Sequence, residues 1–241
     1  MHVKLEDRLF RALRNDLLAG RWREGERLPS ERALATEFSL NRVTVRAAVA
    51  RLVGLGLVTV RRGDGIRAAA GKRSGRLDLV THMLEASTAE TVPIQIVRDM
   101  LELLRIVATE AVALACERAS AEQLAQLSRI AARQVEAVSD PVAFQEGDIE
   151  FVRAVLQASG NMILELLFNT VEGFYRSRPE IRRILLSDPQ TTIARYFAII
   201  ALISSREAEQ ARVFMRQSIE TMNASALQKL EALRSQKRRR S

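Results

Sequence analysis

Two stretches of this sequence gather side chains whose types and spacing could do chemistry. In NRVTVRAAV, residues 41–49, Arg42, Thr44 and Arg46 lie on or near the first turn of a candidate helix. A guanidinium donates two parallel hydrogen bonds, the geometry that reads guanine O6 and N7, and a threonine hydroxyl bonds a base or a phosphate. Arg32 precedes this group, and Arg61 and Arg62 follow it beside the turn GDG. In GDIEFVRAVLQASGN, residues 147–161, Asp148 heads an apolar stripe with Phe151, Val152 and Val155 at helical offsets. Burying an unpaired charge is costly. A metal ion, a ligand or a neighbouring arginine would each answer Asp148.

Catalysis finds little here. The chain has no GxSxG elbow, no P-loop and no well-placed His-containing dyad. Glu102 and Glu110 read as solvated or ion-paired faces. No enzyme and no cofactor are expected.

The arginines need elements to hold them. Leu5, Leu9, Leu13 and Leu17 mark an amphipathic helix that ends at Gly20. A turn-rich connector with Pro29 leads to Ser30, an N-cap for a short helix over 31–38 with Ala33, Leu34 and Phe38 inward. SLN makes a tight turn, Asn41 caps the next helix, and Gly56 ends it. LVTVRR and IRAAA around GDG read as a β-hairpin. The order is a winged helix-turn-helix, over residues 1–70, whose third helix presents its N-terminal residues to a major groove.

Charge supports this division. Residues 1–76 carry a net +9, residues 77–230 a net −5 and the tail a net +4, so the basic character sits in front. The single cysteine, Cys116, lies in an apolar helical run and reads as a small buried side chain in a reducing compartment. With charges throughout its opening and no apolar run near membrane-spanning length, the chain is expected to be soluble and cytoplasmic.

ERLPSERALATEFSLNRVTVRAAVARLVGLGLVTVRRGDG resembles the DNA-binding domain of the GntR family of bacterial regulators. The matching residues are Leu28 to Arg32, Arg42, Thr44 to Arg46, Gly56 to Val58 and Gly63, with Val43 and Asn41 where hydroxylic residues are usual. The resemblance implies that Arg32, Arg42, Thr44, Arg46 and the wing at Arg62 and Gly63 touch double-stranded DNA. It also implies a homodimer on a short palindrome.

After a linker at 71–76, residues 77–87, 93–118, 121–138, 141–158, 161–177, 189–204 and 207–233 read as helices, followed by a basic tail over 234–241. Two proline-containing turns flank a short helix near 178–190. The expected fold is mainly α: a winged helix-turn-helix with a hairpin wing, then an all-α effector-binding and dimerisation domain over 77–233. This second part resembles the effector domain of the FadR subgroup. Many members hold a divalent metal with one aspartate and three histidines. Here Asp148 is present, but the histidine positions carry Val152, Tyr196 and Ser218. The chain's two histidines, His2 and His82, rule out a three-histidine site. Without metal, similarity to the fatty acyl-CoA-responsive members points to Arg105, Phe144, Asp148 and Tyr175 as effector-binding residues. Arg105 or Arg153 would then pair with Asp148. The expected protein is a transcriptional repressor whose helical domain binds a fatty acyl-CoA or a metal-free organic or sugar acid. The rival is a metabolite-binding or assembly module without specific DNA binding.

Overall fold

The computed structural model of the protein describes residues 2–61, 63–70, 74–75, 78–85, 93–177 and 188–238. Its contacts divide the chain into two compact units, Met1–Ala86 and Ser87–Ser241.

The front unit contains α1 (His2–Leu18), α2 (Glu31–Glu37), α3 (Arg42–Gly54), β1 (Val58–Arg61), β2 (Gly65–Ala68) and α4 (Asp78–Glu85). Leu9, Phe10 and Leu13 of α1 pack against Val45, Val49 and Leu52 of α3, and Leu34 closes the core from α2. Ala33 is exposed, against expectation; Leu34, Ala35 and Phe38 form the inward face, one helical step further on. The strands pair antiparallel, with Val58 opposite Ala68 and Arg61 opposite Gly65. The connector joins this hairpin, as Leu28 N–H donates to Ile66 O and Ala68 N–H to Glu26 O, both at 2.9 Å.

The boundary between the units differs from the expected linker at 71–76. Ser74 Oγ donates to Gly56 O at 2.8 Å, and α4 places Leu79 and Met83 on the front core. Leu79 and Met83 stand one turn apart, so this helix has an apolar face that covers the front core. His82 goes with it, edge-on to Phe10 at 5.6 Å. Gly56 permits the Ser74 contact. Its φ is +71°, and a Cβ there would lie 1.8 Å from Ser74 O.

The second unit is a bundle of α5 (Ile94–Arg118), α6 (Ala121–Glu136), α7 (Pro141–Ala158), α8 (Met162–Ser177), α9 (Pro189–Ser204) and α10 (Ala208–Arg238). α5 packs most extensively against α10, and α6 against α7. The breaks have local causes. Ser120 and Gln123 form a capping box, while Asp140 and Asp188 each cap a helix that starts with proline. Arg206, at φ 60°, turns the chain between α9 and α10 and donates to Cys116 O at 2.9 Å and Ala119 O at 2.7 Å. These are carbonyls at the C-terminal end of α5, which lack helical donors. Cys116 is buried in the core formed by α5, α6, α7, α9 and α10, and burial pushes its thiol pKa up. α10 runs to Arg238, past its expected end at 233 and into the basic tail. The expected short helix near 178–190 lies mostly outside the described residues.

Candidate functional site

In the front unit, Asn41 Oδ1 accepts the Thr44 N–H at 2.8 Å and starts α3 sharply. This cap fixes which side chains of the first turn face out. Arg42, Val43 and Arg46 are exposed, whereas Val45, Ala48, Val49 and Leu52 are buried in the core. Thr44 is 8% exposed and Val43 77%, so Val43 presents the larger surface. Arg32 of α2 is exposed, and its neighbour Glu31 holds Arg46 Nε at 2.8 Å. That pair is open to solvent, where such contacts are weak and yield to competing anions. At the wing tip, Gly63 and Gly65 have φ of +82° and +81°. Between them Asp64 accepts two hydrogen bonds from Arg67, which also donates to Gly25 O at 2.7 Å. The Arg67 hydrogen bond is the main reason the Asp64 carboxyl lies below its ordinary range. Arg61 is exposed on β1; Arg62 lies outside the described residues.

In the second unit, α5, α7, α8, α9 and α10 line a cavity of about 190 Å³. Among the described residues its wall is apolar apart from Asp148, Arg195, Tyr196 and Asn223. Asp148, Phe151, Val152 and Val155, the stripe legible in the sequence, all line it. Asp148 Oδ1 accepts a 2.6 Å hydrogen bond from Tyr196 OH, and the Tyr196 ring stacks on Phe151 at 3.9 Å between centroids. Burial first, and then the Asp148 charge, hold the Tyr196 pKa far above its ordinary value. The phenol is a neutral donor. Gln134, 2% exposed, acts on the same phenol and donates to Phe144 O at 2.9 Å. Gly147 admits Gln134, since a Cβ there would lie 2.2 Å from its Oε1.

Comparison with known proteins agrees with both halves. Residues 5–67 match the gntR family of bacterial regulatory proteins, and residues 99–221 match the FCD domain. The chain belongs to the GntR family. The transcriptional regulator Mce2R of Mycobacterium tuberculosis is 32% identical over 70% of this chain and 69% of its own length. The galactonate operon transcriptional repressor of Escherichia coli is 26% identical over 97% of this chain and 100% of its own. The transcriptional repressor NanR of Salmonella newport is 27% identical over 83% of this chain and 77% of its own. Among solved structures, Listeria monocytogenes Lar shares the fold, with a TM-score of 0.58 and 17% identity over 95% of this chain and 97% of its own.

As a GntR-family protein with an FCD domain, this chain departs from the metal-holding pattern at the atoms that matter. Asp148 is bonded to the Tyr196 phenol, Val152 contributes apolar wall, and Ser218 is not among the cavity residues. Both histidines fall in the front unit, and the described residues contain no group of three His, Cys, Asp or Glu placed to hold a metal ion. The residues present do not fit the metal.

The partners expected for Asp148 are engaged elsewhere. Arg105 Nη1 lies 3.8 Å from Glu220, and Arg153 pairs with Glu172 and donates to Asn169 at 3.1 Å. Both arginines find carboxylates on neighbouring helices. Arg105 and Phe144 are not among the cavity-lining residues, and the Tyr175 side chain lies outside the described residues. Sequence reasoning passed over Arg195 and Asn223. Arg195 had a signal, as the lone cation inside the strongly apolar run IARYFAIIALI; Asn223 had none. Among the described residues, no helix is long and apolar enough to cross a membrane.

Proposed function

We propose that the protein is a homodimeric DNA-binding repressor of the FadR subgroup, acting in the cytoplasm. It binds a short palindromic duplex and loses affinity when a small molecule enters the helical unit. The observation that carries this reading is the capped first turn of α3, which holds Arg42, Val43 and Arg46 outward on a rigid core. Arg42 and Arg46 read base edges, while Arg32 and the wing at Arg62 and Gly63 hold phosphates or enter the minor groove. Thr44, expected to touch DNA, gives its backbone N–H to the Asn41 cap, and its buried side chain leaves the contacts to its neighbours. Two relatives are named repressors, which supports the sign of regulation. The cavity beside Asp148 is the effector site. An effector there would change the spacing of the two winged helices, which must match two half-sites.

The test compares anisotropy titrations of the full chain on its own upstream DNA and on random duplex over a range of salt. Affinity should fall steeply with salt and favour the upstream DNA. Arg46→Ala should cost about 1–3 kcal/mol on the specific site and much less on random duplex. A protein without that salt-sensitive preference is not a sequence-specific regulator, and effector binding alone would then mark a metabolite-binding module.

A further inference from the structure

The polar groups of the cavity are not equivalent. Tyr196 and Asp148 bond to each other, whereas Arg195 and Asn223 stand apart from that pair. Arg195 is half-buried, and its hydrogen bond goes to the Met222 thioether at 3.5 Å, a weak acceptor. No described carboxylate pairs with it. Asn223 donates from Nδ2 to Leu101 O at 3.1 Å, while its Oδ1 is buried without a donor. Arg195 of α9 and Asn223 of α10 both line the cavity, so the cation and the free acceptor face the same space.

A half-buried cation without a described carboxylate partner selects an anion, and a buried acceptor selects an O–H or N–H. The rest of the wall, including Val107, Val152, Leu167 and Phe168, selects hydrocarbon. Size narrows the class further. A cavity of roughly 150 Å³ takes a benzene ring, while drug-sized ligands occupy roughly 300–1,000 Å³. At about 190 Å³ this one has room for a single ring or a short chain. Resting on the reading of the cavity as the effector site, we propose that it binds, without metal, a small apolar monocarboxylate bearing one hydroxyl or N–H. The carboxylate pairs with Arg195 and the donor meets Asn223 Oδ1. A sugar acid would strand several hydroxyls on the described apolar wall, and a long acyl chain would have to run out of the cavity.

The test uses calorimetry and thermal shift on the EDTA-treated full chain. The probes are monocarboxylates of roughly six to ten carbons, such as mandelate, each beside its form without the hydroxyl and its form without the carboxylate. Galactonate and octanoyl-CoA are the competing classes. Hydroxy acids should bind best. Arg195→Gln should weaken them about 10- to 100-fold, with Arg195→Lys recovering part of the loss. Asn223→Leu should erase the preference for the hydroxylated acid without abolishing binding. Circular dichroism confirms that each variant is folded. The proposal is overturned if none of these acids binds, if binding needs added zinc, if galactonate or octanoyl-CoA binds instead, or if Arg195→Gln leaves affinity unchanged. DNA affinity measured in the same samples separates the two readings. Acid binding that leaves DNA affinity unchanged removes the effector role but keeps the ligand class; selective DNA binding without acid binding does the reverse.

Discussion

Tyr196→Phe removes one oxygen and keeps everything else around it. The phenylalanine retains the stack on Phe151 and its place in the core, since the tyrosine is only 2% exposed. What disappears is the 2.6 Å hydrogen bond to Asp148. A hydrogen bond to a charged acceptor contributes about 1.5–3 kcal/mol, so a loss of about 2 kcal/mol is expected. For a unit of this size that lowers Tm by about 4–8 °C. Urea unfolding and thermal melts followed by circular dichroism at neutral pH measure both quantities. The raised phenol pKa adds a second reading. The folded protein keeps this proton where the unfolded chain, near the ordinary value of 10.0, gives it up. Its contribution is therefore complete below that pH and is lost as pH rises beyond it. Wild-type stability should fall more steeply in alkali than that of Tyr196→Phe. A variant that melts within about 1 °C of wild type, with the same alkaline slope, would refute the assignment of Tyr196 as a stabilising donor to Asp148.

Val43→Thr exchanges an exposed apolar side chain on the reading turn for a hydroxylic one. Since valine favours a thymine methyl, binding-site selection should show a changed base preference at one position per half-site, with random-duplex affinity unaltered. Gly56→Ala should destabilise the front unit by more than about 2 kcal/mol, because its Cβ meets backbone at 1.8 Å and its φ is +71°. Gly54→Ala, with nothing within 4 Å of its Cβ, should be neutral or stabilising by about 0.5–1 kcal/mol; urea titration separates the pair. Gly147→Ala drives a Cβ to 2.2 Å from the buried Gln134 Oε1, and a cost of about 1–3 kcal/mol should appear in the same assay.

Most elements were legible because their signals are local. Helix 141–158 was expected from the DPVAF start and the ASGN break, and α7 spans Pro141–Ala158. Asn41 as a cap and the hairpin around GDG involve residues a few positions apart, and both are present. Ala33 failed for a near-local reason. In a helix as short as α2, one residue of phase decides which alanine faces in. The site was legible in part. Asp148 and its stripe do line the cavity, yet the arginines to which resemblance and charge point, Arg105 and Arg153, are given by helix packing to Glu220 and Glu172.

The sequence by itself determined the winged helix-turn-helix, the arginine-bearing turn, the helical second half and the shortage of histidines, because periodicity, caps and composition need no knowledge of what lies far along the chain. Tertiary structure alone decided that Asp148 meets Tyr196, 48 positions away, and that α4 belongs to the front core. It also turned Thr44 inward and set Arg195 and Asn223 in one apolar wall. These outcomes depend on which helix faces which, and packing between distant segments chooses the partner of a buried polar group.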